Sequence, residues 1–393
     1  MPDLVFLSYT HHDASSVAAL AGSLRERGVR PWRDRDSLPT GTMTRPEIHR
    51  VLNDECNGAM LWLSPHALRS DYVMHAELPT IVELAEAGDF MFTPIFDGIT
   101  PTEATRRVRE LTGKEIGGYN GIVAANYLDT RSLVDAAARR YLTRLLDRAR
   151  VSGGRPLIRA VTRNDTAGSR REAHVNLDWR EAYRLGVPDP ATQNRLKHAL
   201  GDTASALLAT YGPGAVNLDA KTHLSVAVAL GYALREPSGA VPRVLAGDAR
   251  WAPRHSPIEN HECLIETRGS DGPVGSRLVA VEVAVTRDIS QGIDLANANG
   301  AVPYAQRRRF TPAGGPARDA VTDERQANGW AEQIVTGLSA LKLEYRADAV
   351  HLFLACPLPL AVLIGWRLNA TGPITIFEWF DGAGPYVPGW NIP

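Results

Sequence analysis

The sequence is poor in cysteine, in long apolar runs and in net charge, and each shortage removes a class of function. Its three cysteines, Cys56, Cys263 and Cys356, stand far apart in 393 residues. They lack the paired spacing that zinc and redox motifs need, so they read as reduced thiols of a cytoplasmic protein, and no metal site is expected. The longest apolar run, "LFLACPLPLAVLIGW" from Leu352, falls short of the roughly 20 residues of a membrane span. Pro357 and Pro359 also break it, and it reads as a buried strand entering a buried helix. The opening "MPDLVFLSYTHHD" has neither the basic region nor the apolar segment of a secretory leader. Lys plus Arg number 43 against 44 for Asp plus Glu, so no overall field holds duplex nucleic acid. An anionic ligand must be met locally.

What is present is an ordinary globular composition, 44% apolar and 22% charged, with 34 Gly and 26 Pro to supply turns. The length exceeds one hydrophobic core and predicts two or three domains. Over residues 1–150, short apolar runs alternate with amphipathic stretches, the pattern of a parallel sheet covered by helices. "LVFLSY", "VRPW", "GAMLWLS" and "FMFTPIF" read as strands. "DASSVAALAGSLRERG" places Val17, Leu20, Ala21 and Leu24 on one helical face, with Asp13 or Ser15 as N-cap and Gly28 as the stop. "RPEIHRVLNDE" and "LVDAAARRYLTRLLDRAR" are further helices, and "VSGGRP" (151–156) reads as a linker.

The remaining residues, 157–393, contain a weak internal repeat. "SVAVALGYALREPSGAVPRVLAGD" and "PLAVLIGWRLNATGPITIFEW" align Ala227 on Ala361, Val228 on Val362, Gly231 on Gly365 and Leu234 on Leu368. Each copy reads as a histidine-bearing strand (His223, His351), a glycine-containing helix, a turn and a strand. Two such copies predict two fused Rossmann-like halves, whose strand ends surround one pseudo-symmetric pocket.

Several stretches of the first part together resemble a TIR domain: "VFLSYTHHDASSVAALAGSLRERGVRPWRDRDSLPTG", then "MLWLSPHALRSDYVMHAEL". The resemblance spans roughly residues 3–148 and implies a flavodoxin-like α/β fold. It implies one of two activities, assembly by mutual contact or cleavage of the nicotinamide–ribose bond of NAD+. The catalytic members use one glutamate, and chemistry explains why one suffices. An ordinary glycoside needs an acid for its leaving oxygen as well as a carboxylate. The nicotinamide of NAD+ is already cationic and leaves neutral, so a single carboxylate can stabilise the oxocarbenium-like centre or bind the ribose hydroxyls.

Glu77 is the residue that matches the family's signature. The family places an aromatic residue four positions before this glutamate; here Tyr72 is five before, and Val73 holds the expected place. Taken as a residue type alone, Glu77 reads better as a first-turn glutamate favouring the positive end of a helix; within the motif it reads as catalytic. Glu83, six residues on, points about 120° away around a helix and reads as a solvated surface residue. Ser8 and Tyr9 at the end of the first strand, and Ser64 at the end of the third, are placed to line a nucleotide crevice. Trp32, Arg33 and Asp34 are candidates for the nicotinamide or adenine side, although a tryptophan there suits core packing as well. The loop 34–41, with Asp36, Leu38, Pro39 and Gly41, resembles the family's assembly loop. His11 and His12 invite a metal reading, but adjacent histidines point apart, and Asp13 serves better as a cap.

The end of the chain resembles a SAVED domain, over roughly 157–393, carried by "HLSVAVALG", "RLVAVEVAVTRDIS", "HLFLACPLPLAVLIGWRLNATGPITIFEW" and "YVPGW". The resemblance implies two fused CARF-like halves that bind a cyclic oligonucleotide, such as cyclic tri-adenylate, made by a bacterial antiviral synthase. Phosphates are met by backbone N–H groups and helix N-termini, bases by aromatic or Arg planes. The candidates are His223 and Ser225, Ala355, Cys356, Pro357 and Leu358, the polar loop of Thr286, Arg287 and Ser290, and Arg367 and Trp390. Arg235 and Arg254 are further options. The "QRRR" run at 306–309 reads as a solvated face.

Taken together the resemblances imply a sensor fused to an NAD+-consuming effector. NAD+ is then a substrate, and no cofactor is expected. Ligand would drive head-to-tail self-association, which propagates into a filament unless it closes. The rival expectation is a non-catalytic TIR adaptor that assembles to recruit a partner.

Overall fold

The apolar runs of the first part form the strands of one parallel sheet. The computed structural model describes residues 4–33, 44–151, 153–164, 173–254, 262–269, 272–273, 275–300, 303–380 and 385–393, and the chain divides into two units, Met1–Arg148 with Val175–Leu177, and Ala149–His174 with Asp178–Pro393. Asp34 and the assembly-loop residues Asp36, Leu38, Pro39 and Gly41 lie outside the described residues.

The first unit runs β1 (Leu4–Ser8), α1 (Ala14–Glu26), β2 (Arg30–Trp32), α2 (Thr44–Asp54), β3 (Cys56–Leu63), a π-turn (Val73–Glu77), α3 (Leu78–Glu86), β4 (Met91–Phe96), α4 (Pro101–Thr112), β5 (Ile122–Val123) and α5 (Thr130–Val151). The strands lie in the order β2-β1-β3-β4-β5, all parallel. This is the flavodoxin-like order, whose switch point falls between β1 and β3. β3 and β4 are apolar almost throughout because helices cover both faces of the sheet. The periodic residues of α1, Val17, Leu20, Ala21 and Leu24, are all buried. The helix stops just before Gly28, whose φ of 80° is one that a glycine adopts without strain.

The second unit contains two sheets. The first is built from β6 (Leu157–Val161), β7 (Val175–Asp178), α6 (Pro190–Tyr211), β8 (Gly214–Lys221), α7 (Leu224–Ala233), β9 (Ala240–Ala246) and β10 (Ala249–Trp251). The second has β11 (Ile265–Arg268), β12 (Leu278–Ala284), α8 (Ser290–Gly300), β13 (Gln306–Thr311), α9 (Glu324–Glu344), β14 (Ala349–Ala355), α10 (Leu358–Arg367), β15 (Ile374–Glu378) and β16 (Val387–Ile392). Their strand orders, β10-β9-β8-β6-β7 and β16-β15-β14-β12-β13, correspond position by position, and β11 is added beyond β13. In each, the central strands are parallel and the hairpin strand, β10 or β16, is antiparallel. The long helices α6 and α9 begin equally far ahead of Gly231 and Gly365.

The two halves meet where α7 packs on α10. A Cβ on Gly231 would fall 2.1 Å from the carbonyl oxygen of Val362, and one on Gly365 would fall 2.0 Å from that of Val228. The repeat aligns these same four residues pairwise. The contact is therefore reciprocal, the mark of a two-fold relation, and only glycine allows so close a backbone approach. One part of the repeat does not hold. His223 lies after β8, at the N-cap of α7, whereas His351 lies inside β14, with its Nδ1 2.9 Å from the Tyr304 hydroxyl. The histidines are not equivalent, because β14 carries its histidine before the helix by most of a strand.

Candidate functional site

At the switch point of the first sheet, Ser8 ends β1 and Ser64 follows β3. Chain from β3 then leads through the π-turn to Glu77. The Ser8 hydroxyl donates to Glu77 Oε2 at 2.5 Å, and the glutamate is only 4% exposed. The carboxylate is thus held at the carboxyl ends of the strands, where open α/β sheets place their ligands. Beside it, buried Asp13 accepts from Thr10 Oγ1 and from Ser64 Oγ, both at 2.8 Å. Ser64 Oγ in turn accepts from the backbone N–H groups of His66 and Ala67 at 3.2 Å. Asp13 stands at the N-cap position of α1 but makes no side-chain cap hydrogen bond. The expectation of a capping Asp13 is corrected: two hydroxyls claim its carboxylate, and it ties the end of β1 to the end of β3.

The π-turn explains the spacing of Tyr72. Leu78 N–H bonds to Val73 O, an i to i+5 link, so this turn holds one residue more than an α-turn. A residue five positions back across such a turn occupies the place that one four back occupies on an α-helix. The extra residue between Tyr72 and Glu77 is absorbed locally, and Tyr72 is half-buried against the core. π-bulges of this kind are frequent at functional sites.

Other candidates go elsewhere. Trp32 is 7% exposed and stacks on Phe6 with ring centroids 5.1 Å apart. Its ring is spent on the core, because β2 pairs it directly with Phe6. Tyr9 and Arg33 directly follow the ends of β1 and β2. Glu83 is exposed and pairs with Lys114 at 2.8 Å. His11 and His12 are exposed and tilted 55° to each other, while His12 stacks on His66. Among the described residues no group of three or more His, Cys, Asp or Glu is arranged to hold a metal ion, and no helix is long and apolar enough to cross a membrane.

In the second unit the strand ends hold a packed aromatic cluster. The His223 ring lies between Tyr183 and Phe380, with centroids 4.9 and 4.8 Å away. Its Nδ1 lies 2.8 Å from Thr162 Oγ1, which also accepts the His223 backbone N–H. Burial and the nearby Arg163 charge push the imidazole down to about 4, so it is neutral at physiological pH. Trp390 is 3% exposed and stacks on Trp179 at 6.1 Å. Ser225 donates its N–H to Glu378 Oε2 at 2.9 Å. Across the two-fold, Ala355 and Cys356 are buried and Pro357 caps α10. Burial pushes the Cys356 thiol up.

The loop after β12 is organised by charge. Arg287 lies 3.8 Å over the Trp379 ring, and Thr286 N–H donates to Ala355 O at 2.8 Å. Arg309 holds Asp288 at 2.9 Å and bonds Ser290. Hydrogen bonds from Arg309 and the Ser290 backbone bring Asp288 down to about 2. The "QRRR" run is corrected: Arg307 pairs with buried Glu282 at 2.7 Å and Arg308 is itself buried between Glu266 and Glu344. Arg367 ends α10, about 13.5 Å along the helix from Leu358, and it donates to Arg254 O at 2.9 Å.

Sequence reasoning missed Glu378, Tyr183, Phe380, Thr162 and Arg163. Only Glu378 carried a signal, an acid closing the apolar strand "ITIFE".

Two parallel-sheet halves related by a two-fold, each with a helix following its central strand, call for comparison with known sensors. The sequence model of the family described as SMODS-associated and fused to various effectors sensor domain matches residues 194–392, half of the chain. The chain belongs to the SAVED family. Residues 5–116 match the TIR domain, so a TIR domain precedes the SAVED domain. Two solved structures of the Acinetobacter baumannii Cap4 SAVED/CARF-domain containing receptor, one with the cyclic trinucleotide 3′3′3′-cAAA and one with 2′3′3′-cAAA, share 14% identity with this chain. Each aligns over 96% of this chain and 97% of its own at a TM-score of 0.51. The Moraxella osloensis Cap4 receptor aligns over 97% and 98% at 14% identity and a TM-score of 0.46. The likeness to the two Acinetobacter structures is one of fold. No curated protein matches the chain.

Proposed function

We propose that the chain is a bacterial antiphage effector of the CBASS type. Its SAVED domain binds a cyclic oligonucleotide, a cyclic trinucleotide such as cyclic tri-adenylate by the analogy of the Cap4 receptors. Its TIR domain then hydrolyses NAD+ to nicotinamide and linear or cyclic ADP-ribose. The observation that carries the catalytic reading is the Ser8–Glu77 pair at the switch point. One oriented carboxylate is what the departure of a neutral nicotinamide requires: the C1′–N bond breaks, nicotinamide keeps the electron pair, and Glu77 faces the cationic ribose. Water, or a base of the same molecule, completes the reaction at C1′. Tyr72, Ser8, Tyr9 and Ser64 line the substrate, with Arg33 beside it. Ser8 and the Asp13 bridge between Thr10 and Ser64 act as positioning groups.

Ligand controls this chemistry through self-association. A head-to-tail contact between sensor domains propagates and brings the loop 34–41 of one copy to the TIR domain of the next. To take such a contact from rarely to mostly formed, ligand must favour the assembled state by about 5 kcal/mol. The test is release of nicotinamide from NAD+ by the purified chain with and without a panel of cyclic di- and trinucleotides. Release only with one ligand, rising steeply with protein concentration, is the expected result. Ligand-driven assembly with no release under any condition would favour the adaptor instead.

A further inference from the structure

The N-terminus of α7 already holds a carboxyl group. Glu378 ends β15 in the second half, crosses to the first half, and accepts the Ser225 N–H at 2.9 Å while only 3% exposed. Its other oxygen lies 3.8 Å from the guanidinium of Arg163, which is 53% exposed. The two-fold makes this arrangement informative, because it exists on one side only. Carried forward from Gly231 on Gly365, the repeat sets Val244 where the second half has Glu378. It sets His223 and Ser225 where the second half has Pro357 and Pro359. Prolines have no N–H to offer an anion. Of the two equivalent helix starts, α7 alone has N–H groups at these positions; that of His223 goes to Thr162 Oγ1, and that of Ser225 is the one an acid covers.

We propose that Glu378 competes with a ligand phosphate for the N-terminus of α7, and that it yields by turning toward Arg163. This deepens the sensor reading and rests on it. A phosphate aimed at the Ser225 N–H meets a carboxylate of the same sign in a site with little water to screen them. The acid therefore lowers affinity and sets a threshold, so that only a ligand with several further contacts displaces it. Protonation of Glu378 removes the repulsion, and burial, which raises its affinity for a proton, favours that state. The groups around it do not confuse the reading. His223 is held down to about 4, and burial pushes the Tyr183 hydroxyl and the Cys356 thiol up and Tyr386 up to about 12.

The test is calorimetric titration of the full chain with 3′3′3′-cyclic tri-adenylate from about pH 5 to about pH 8. Glu378→Gln keeps the shape and an acceptor for Ser225. It should bind about tenfold tighter at the upper pH and should lose the fall in affinity with rising pH that is expected of the unaltered chain. Arg163→Ala, which leaves the acid nowhere to turn, should bind more weakly; this second variant reads the proposal if Glu378→Gln fails to fold. If the unaltered chain binds and Glu378→Gln binds equally or more weakly, the competition is overturned and the sensor reading stands. If the unaltered chain binds no member of a cyclic di- and trinucleotide panel, the sensor reading falls and the proposal with it.

Discussion

The hydroxyl of Ser8 and the carboxylate of Glu77 are 2.5 Å apart, although 69 residues separate them in the chain. Strand β1 supplies one and the π-turn before α3 the other, so the pair exists only when the switch point is formed. Ser8→Ala removes the hydroxyl that orients Glu77 Oε2. NAD+ cleavage should fall about 100-fold, the cost of a misplaced reacting group, with kcat carrying most of the loss and thermal stability little changed. Ser8→Thr keeps the hydroxyl and should recover part of the rate.

Asp13 bridges the same two strand ends through Thr10 and Ser64. Asp13→Ala strands two buried hydroxyls and should cost about 1–3 kcal/mol, read as a lower unfolding midpoint in denaturant. Asp13→Asn retains one acceptor oxygen and should lose less. Equal stability of all three proteins would show that the bridge is not a structural tie.

Gly231 and Gly365 meet the partner helix at 2.1 and 2.0 Å from a carbonyl oxygen once a Cβ is added. Because backbone rather than a flexible side chain stands in the way, either Gly→Ala change should destabilise the SAVED domain by about 1–3 kcal/mol or more. The two-fold further predicts similar losses at both sites. Calorimetric unfolding of the two variants checks both statements, and a loss at one glycine alone would contradict the symmetry.

How much of this was legible in the sequence follows from what each feature depends on. The α1 stripe, the buried runs of β3 and β4, and the repeat of Gly231 on Gly365 are local patterns, and periodicity or alignment displays them. Helix α4 was not read, though Thr100 caps it by accepting the Glu103 N–H and Gly113 ends it at φ 71°; its short apolar face, Ala104 and Val108, gives a weak period. Glu77 was visible through its motif, but the π-turn that accommodates Tyr72 was not, since nothing in "DYVMHAE" distinguishes five residues per link from four. Asp13 looked like a cap because its position is that of a cap, and only the arrival of Ser64 shows its use. Glu378 bonds a residue 153 positions away. Such a pairing is a property of the folded halves and leaves no local trace beyond an acid at a strand end.

Glu378 also gives the fold a pH dependence whose sign can be worked out. Burial raises its folded pKa above 4.5, so between that value and the folded one the native state binds more protons than the unfolded state, and stability falls as pH rises. The SAVED domain should therefore lose part of its stability as pH rises above about 4.5 through the folded pKa, and Glu378→Gln should flatten that slope. Unfolding free energies measured in denaturant across this range decide it. Identical slopes for the two proteins would mean that the native site holds the charged carboxylate as well as water does.

Glu83, exposed and paired with Lys114, supplies the control for the catalytic assignment. A surface pair of this kind is worth about 0–1 kcal/mol, so Glu83→Gln should leave both stability and NAD+ cleavage close to those of the unaltered protein. Loss of cleavage in Glu83→Gln with retention in Glu77→Gln would exchange their roles.

The most direct measurement is nicotinamide release from NAD+ by the purified full chain and by Glu77→Gln, each with cyclic tri-adenylate and the other members of a cyclic di- and trinucleotide panel. The account predicts ligand-dependent release by the unaltered chain and none by Glu77→Gln, with ligand-driven assembly equal in both. Absence of release from the unaltered chain under every condition, or equal release from Glu77→Gln, would contradict it.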